Sequence, residues 1–259
     1  MTILEKITTY KKLEVAARKQ AFPVSFLQQS GLFDRQCYAM AESVATGSGI
    51  IAEHKRRSPS KSVINENILL PEVVKGYESA GVSAISVLTD TKFFGGSLDD
   101  LLLARASVNI PLLRKEFIVD PYQIYEAKAY GADAILLIAA CLEENQLQEY
   151  SALAKELGMD VLLEIHNEEE LKKSLHPTVD LLGVNNRNLK TFEVSLDASK
   201  ALSKLIPDSY VKVSESGISN IKAIKELQPY GYKGFLIGER FMKTENPGES
   251  AEEFIKALK

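Results

Sequence analysis

Glu53 and Lys55, Lys115, Glu164, Asn185 with Arg187, and Glu215 with Ser216 each stand where a run of apolar or β-branched residues gives way to polar ones. Lysines and carboxylates gathered in a partly buried place set one another's proton affinities and so supply candidate general acids and bases. Glu53 and Lys55 are two residues apart, which points both toward one face of a strand, and Lys115 shares the parity of Leu113 in the same way. A structural network of ion pairs would use the same residue types. The argument for chemistry is that two lysines and three carboxylates all end apolar runs, where a single structural pair would not require it. A second signal is made of glycine: Ser216-Gly217 and Gly238-Glu239 follow the last two apolar runs, where backbone N–H groups left open by glycine could approach a phosphate.

Other chemistries lack their residues. His54, His166 and His176 include no pair at the helical spacing of a metal-binding motif, so no metal is expected. His166 has the parity of Glu164, which suits a polar neighbour of that carboxylate as well as a reacting group. Neither Ser216 nor Ser58 and Ser60 has a histidine placed to act as its base, which argues against a serine hydrolase. Cys37 and Cys141 lie far apart, giving neither a disulfide framework nor a zinc site and fitting a reducing, cytoplasmic setting. The net charge of −4, with basic residues scattered among acidic ones, excludes a nucleic-acid surface, and the segment from Met1 to Gln20 has no apolar stretch for a signal peptide or membrane span.

The elements that must hold these residues follow from the hydrophobic pattern. Apolar runs near Ile50, Ile85, Leu112, Ile135, Leu162, Leu182, Val211 and Leu236 read as eight strands separated by amphipathic stretches. Gly81, Gly131 and Gly158 stand where left-handed residues would end helices, and Asp120-Pro121 reads as a cap followed by the first helical position. Eight regular βα units predict a (β/α)8 TIM barrel, with the polar strand ends converging on one mouth. A doubly wound open sheet is the alternative, but Ala52-Glu53-His54-Lys55-Arg56 does not resemble the glycine-rich turn it would need. Residues 1–48 lie outside the repeat; Leu4 to Ala17 reads as an amphipathic helix over one end of the barrel, and without a linker the whole of 1–259 is expected to form one domain, with the barrel over 49–259.

The chain also resembles the indole-3-glycerol-phosphate synthase family over nearly its whole length. Glu53-His54-Lys55-Arg56-Arg57-Ser58-Pro59-Ser60 is similar to the family's E-x-K-x-x-S-P-S segment, Leu112-Leu113-Arg114-Lys115-Glu116-Phe117 to its L-R-K-[DE]-F strand, and Gly183-Val184-Asn185-Asn186-Arg187-Asn188-Leu189 to its G-[IV]-N-N-R-[DN]-L strand. Phe93-Phe94-Gly95-Gly96-Ser97, Ser214-Glu215-Ser216-Gly217 and Leu236-Ile237-Gly238-Glu239 complete the resemblance, as does an N-terminal extension that in the family contributes to the substrate side of the barrel. His54, where the family is more often apolar, and Ser62, where it favours glycine, are departures; by parity His54 should face away from the mouth.

The resemblance implies ring closure, decarboxylation and dehydration of 1-(2-carboxyphenylamino)-1-deoxyribulose 5-phosphate. No redox cofactor is implied, because aromatisation drives the last step. Phosphate would bind near Ser216, Gly217, Gly238 and the backbone of Glu239, with Leu236 in the same segment. Lys55, Ser58 and Arg187 would orient the carboxylated aniline, and Phe94 and Phe117 would pack on its ring. Lys115 is implied as the acid for ring closure and Glu164 as the base for rearomatisation, with Glu53 assisting and Asn185 and Glu215 orienting sugar hydroxyls. The partner so implied is a small sugar phosphate, and the pathway leaves room for docking with other tryptophan-pathway enzymes. A phosphoribosylanthranilate isomerase would be expected to use a Cys/Asp pair, which is missing here, and a catalytically silent barrel would have lost one of the matched charges.

Overall fold

The computed structural model describes residues 2–59, 61–65, 68–188 and 191–258. Strands β1 (Ile50–His54), β2 (Ala84–Leu88), β3 (Leu112–Lys115), β4 (Ala134–Ile138), β5 (Asp160–Ile165), β6 (Leu181–Asn185), β7 (Val211–Glu215) and β8 (Gly234–Ile237) follow one another around the sheet. Each pairs in parallel with the next, and β8 returns to β1, closing a TIM barrel. Every expected strand position falls inside one of these elements. Gly81, Gly131 and Gly158 all have positive φ at helix ends, where a side chain would meet its own backbone. Asp120 accepts from the amide of Tyr122 at 2.8 Å, but Pro121 occupies the cap and the helix begins at Tyr122, one position later than expected.

Alternation along the strands divides the core in two. Ile51, Ala84, Leu113, Leu136, Leu162, Leu181, Val213 and Leu236 form one apolar cluster inside the barrel. Their neighbours, such as Ile50, Ile85, Leu112, Ile135, Val161 and Leu182, pack with helix residues in a second, outer cluster. The inward stripe fixes what reaches the mouth: Ile51 is followed by Glu53, Leu113 by Lys115, Leu162 by Glu164, and Val213 by Glu215.

The segment before β1 covers both ends of the barrel, not one. Helix Ile3–Ala21 starts with a capping box, in which Glu5 N donates to Thr2 Oγ1 at 3.2 Å and Thr2 N to Glu5 Oε2 at 2.7 Å. Its first turns reach the mouth. Val15 and Leu27 pack beside Tyr122 and Ala129, and helix Met40–Thr46 then inserts Met40 and Val44 into the inner cluster at the opposite end. Buried Asp133, just before β4, ties this path down: its oxygens accept from Arg35 at 2.6 Å, Tyr38 N at 2.8 Å, Arg105 at 2.8 Å and Leu112 N at 2.8 Å.

His54 has the parity of Ile50 and Ala52 and lies away from the mouth, as expected, in almost complete burial. Its Nε2 has no hydrogen-bond partner. Burial, reinforced by the Arg56 guanidinium, lowers its pKa from the ordinary 6.5 to about 4. The folded protein therefore excludes a proton that the unfolded chain binds, so stability falls as pH drops from 6.5 toward about 4. His54→Leu removes this penalty; its stability advantage over the parent should grow by about 3 kcal/mol between neutral pH and pH 4, measured by urea unfolding, and a pH-independent difference would contradict the assignment.

Candidate active site

A cavity of about 410 Å³ opens at the C-terminal ends of the strands, and every residue singled out as catalytic or substrate-binding lines it. Ser60 and Leu189, within two of the quoted segments, lie outside the described residues.

Lys115 is the centre of the charge arrangement. Its ammonium donates to Glu215, and to Glu164 at 3.4 Å, so β3, β5 and β7 meet through one cation. Glu53 instead pairs with Lys55 at 2.6 Å, within the first strand end. Burial by itself would lower the Lys115 pKa, but Glu215, Glu164 and Glu53 together raise it, keeping the ammonium charged. For Glu164, burial opposes ionisation, yet Lys115, His166 and the Asn185 hydrogen bond hold its carboxyl below the usual range. Glu215 goes the other way: burial, with Glu164 and Glu53 adding repulsion against the pull of Lys115, lifts it to about 7. Two carboxyls on one lysine are thus pushed apart, which separates a standing base from a group poised to exchange a proton.

Asn185 is committed on both sides of its amide. Nδ2 donates to Glu164 Oε1 at 3.1 Å, while Oδ1 accepts from Ser216 Oγ at 2.9 Å and Arg187 N at 3.0 Å. This geometry makes it first an orienter of Glu164, beyond the sugar contact expected of it. His166 stands behind the same carboxylate, with Nε2 3.5 Å from Glu164 and Nδ1 3.1 Å from Glu170. It supports the carboxylate from outside the cavity lining.

The loops add shape. Phe94 and Phe117 face one another with ring centres 5.8 Å apart and planes at 36°. Ser58 and Lys61 exchange backbone hydrogen bonds of 2.8 and 3.0 Å, and Arg57 ties this turn to Thr91 O at 2.9 Å, so the loops after β1 and β2 hold each other. Ser216 and Gly217 both have positive φ, 64° and 78°, a conformation that costs a non-glycine residue about 1 kcal/mol or more and persists where the surroundings impose it. At Gly238 the missing Cβ serves a second purpose that sequence did not reveal, since a Cβ there would lie 2.6 Å from Glu53 Oε1. Gly238 caps the turn Glu239–Met242, whose opening amides have no partner within the turn. The Glu239 carboxylate pairs with Lys61.

Sequence reasoning missed Arg240 and Lys243, which bring positive charge to the cavity beside Gly238, and Phe192 and Val194, which close it near Gly217. A basic residue just beyond a strand-end glycine was the available signal for the first pair. Ile3, Leu4 and Ile7 of the N-terminal helix complete the wall. Among the described residues, no cluster of histidine, cysteine or acidic side chains is arranged to hold a metal ion, and no helix is long and apolar enough to cross a membrane.

The raised Glu215 carboxyl gives a direct test. Difference infrared spectroscopy should show a protonated-carboxyl band that disappears with a midpoint at about 7 and is absent in Glu215→Gln. Because Lys115 lowers this pKa, Lys115→Met should move the midpoint to higher pH; a downward move would refute the pairing.

The family described as indole-3-glycerol phosphate synthase matches residues 4–254. Curated relatives named indole-3-glycerol phosphate synthase include one from Bacteroides thetaiotaomicron, 48% identical and covering 99% of this chain and 98% of its own. Another, from Neisseria meningitidis, is 45% identical and covers 94% and 95%. Among solved structures, a thiamine phosphate pyrophosphorylase from Pyrococcus furiosus aligns with TM-score 0.59 at 14% identity, covering 85% of this chain and 98% of that one. A tryptophan synthase complex from the same organism aligns with TM-score 0.58 at 16% identity, covering 82% and 98%. The structural likenesses carry the barrel fold alone, whereas the sequence relationship extends over the strand ends that build the site, and the chain belongs to the indole-3-glycerol phosphate synthase family.

Proposed function

We propose that this cavity closes, decarboxylates and dehydrates 1-(2-carboxyphenylamino)-1-deoxyribulose 5-phosphate to indole-3-glycerol phosphate, with Lys115 and Glu164 as its principal acid and base. The observation that carries the reading is one ammonium shared between two carboxyls of opposite pKa shift, at the centre of a cavity with paired aromatic rings.

The ring carbon bearing the carboxylate attacks the ketone, and Lys115 delivers a proton to the ketone oxygen as its charge develops. Glu215, with its carboxyl near 7, is placed to return a proton to Lys115. The carboxylate then leaves as carbon dioxide, its bonding electrons restoring the benzene ring. The recharged Lys115 ammonium gives a second proton to the new hydroxyl as it departs as water, and Glu164 removes the carbon-bound proton whose loss completes the indole and can return it to Lys115 across their 3.4 Å contact. Asn185 and His166 hold Glu164 for that step. Lys55 and Arg187 attract the substrate carboxylate, Ser58 borders it, and Phe94 and Phe117 flank its ring. Phosphate lies against Ser216, Gly217, Gly238 and the Glu239 backbone, with Arg240 and Lys243 adding charge and Leu236 forming the floor.

The helix wall formed by Ile3, Leu4 and Ile7 supports treating 1–48 and 49–259 as one working domain. The unpaired Cys37 and Cys141 suit a reducing cytoplasm.

Purified protein should release indole product from this substrate, followed by fluorescence. Lys115→Met should reduce ring closure by about 100-fold or more while substrate still binds. Glu164→Gln should permit closure and carbon dioxide release but slow final aromatisation by a similar factor, so single-turnover traces should separate the two. Normal turnover in Lys115→Met, or an early block in Glu164→Gln, would reverse these roles.

A further inference from the structure

We propose that Lys11, on the N-terminal helix, is a positioning residue: by joining Asp90 to Glu116 it sets the spacing of Phe94 and Phe117 across the cavity. The inference rests on the reading that those rings flank the substrate's aniline. Lys11 has no exposed surface, nor do the side chains of Asp90 and Glu116. Its ammonium lies 3.0 Å from Asp90, 3.2 Å from Glu116 and 3.1 Å from Glu14.

What makes this more than a buried ion cluster is what else the two carboxylates hold: Asp90 through the oxygen that Lys11 does not touch, Glu116 through both of its oxygens. Asp90 Oδ1 accepts from the amides of Phe93 at 2.6 Å and Phe94 at 3.1 Å. Glu116 Oε1 accepts from the amide of Phe117 at 2.9 Å, and its Oε2 from Thr89 Oγ1 at 2.9 Å. Each carboxylate ion-paired with Lys11 therefore also grips the backbone beneath one of the two facing rings. The same helix touches this loop again through Tyr10, whose ring meets Phe93 edge-on at 6.1 Å and lies 3.8 Å from the Lys92 ammonium.

Without the Lys11 cation, Asp90 keeps no ion-pair partner among the described residues, and Glu116 keeps only the more distant Arg114, at 3.7 Å. The two carboxylates must separate, admit water or take up a proton, and each response releases a backbone amide that fixes a ring. The phosphate loops after β7 and β8 make no contact with this cluster in any of these bonds. The loss should therefore fall on the aromatic half of the substrate alone.

Equilibrium binding of two probes, anthranilate and inorganic phosphate, tests this alongside turnover. Lys11→Met should weaken anthranilate and lower kcat/KM by on the order of tenfold, leaving phosphate affinity unchanged. Lys11→Arg, which keeps the charge, should recover part of both losses. Should Lys11→Met fail to fold, Glu116→Gln opens the same link from the other side and should give the same division between probes. Unchanged anthranilate binding and turnover, or equal weakening of both probes, overturns the proposal. Absence of indole product from the parent protein would count against the reaction instead, and the division between probes would still decide the role of Lys11.

Discussion

At the mouth of this barrel the Lys115 ammonium is shared by carboxyls from two other strands, and the surrounding structure follows from keeping those charges together away from water. Burying either sign alone would cost several kcal/mol, so the site is stable only with cation and anions in contact. Contact requires room. Gly183 leaves space where a Cβ would stand 2.3 Å from Glu215 Oε1, and Gly238 does the same for Glu53. Register supplies the alignment, pairing Leu88 with Lys115, Ile138 with Glu164 and Asn185 with Glu215 around the ring of strands.

The N-terminal segment solves two problems of a closed barrel at once. Met40 and Val44 fill the end that carries no chemistry, while Ile3, Leu4 and Ile7 narrow the end that does. Between them the chain is held by charge: Arg18 contacts Glu126 at 2.9 Å, and Glu126 in turn receives fully buried Arg114 at 3.2 Å. Because Arg114 precedes Lys115 on β3 and points the opposite way, the strand is gripped on its outer face while it presents the ammonium on its inner one. A wall that is anchored so firmly to the strand beneath it can hold the cavity's shape without belonging to the barrel repeat.

Departures from local preference gather at this end of the molecule. Ser216 and Phe192 are the described non-glycine residues with positive φ, and both line the cavity. Such geometry lasts where hydrogen bonds impose it, as Ser216 Oγ donating to Asn185 does here. His54 shows a different expense, a polar ring with an unsatisfied nitrogen between barrel and helices, and it touches stability without entering the cavity.

The amino-acid pattern alone determined the eight strands, their order as βα units, and the parity by which Glu53, Lys115, Glu164 and Glu215 point inward while His54 points out. These are local properties: alternation and glycine at a helix end are set by the few residues around them. Which charges pair was not legible, because Lys115 is 49 residues from Glu164 and 100 from Glu215, and only closure of the sheet with its register brings them together. The same limit hid the path of the N-terminal segment, since an amphipathic pattern reveals that a helix has a buried face but not what covers it. Lys11 was invisible for that reason: on a helix rich in lysine it looks like a solvated charge, and the two carboxylates that bury it come from the ends of β2 and β3, which tertiary packing alone carries to its side.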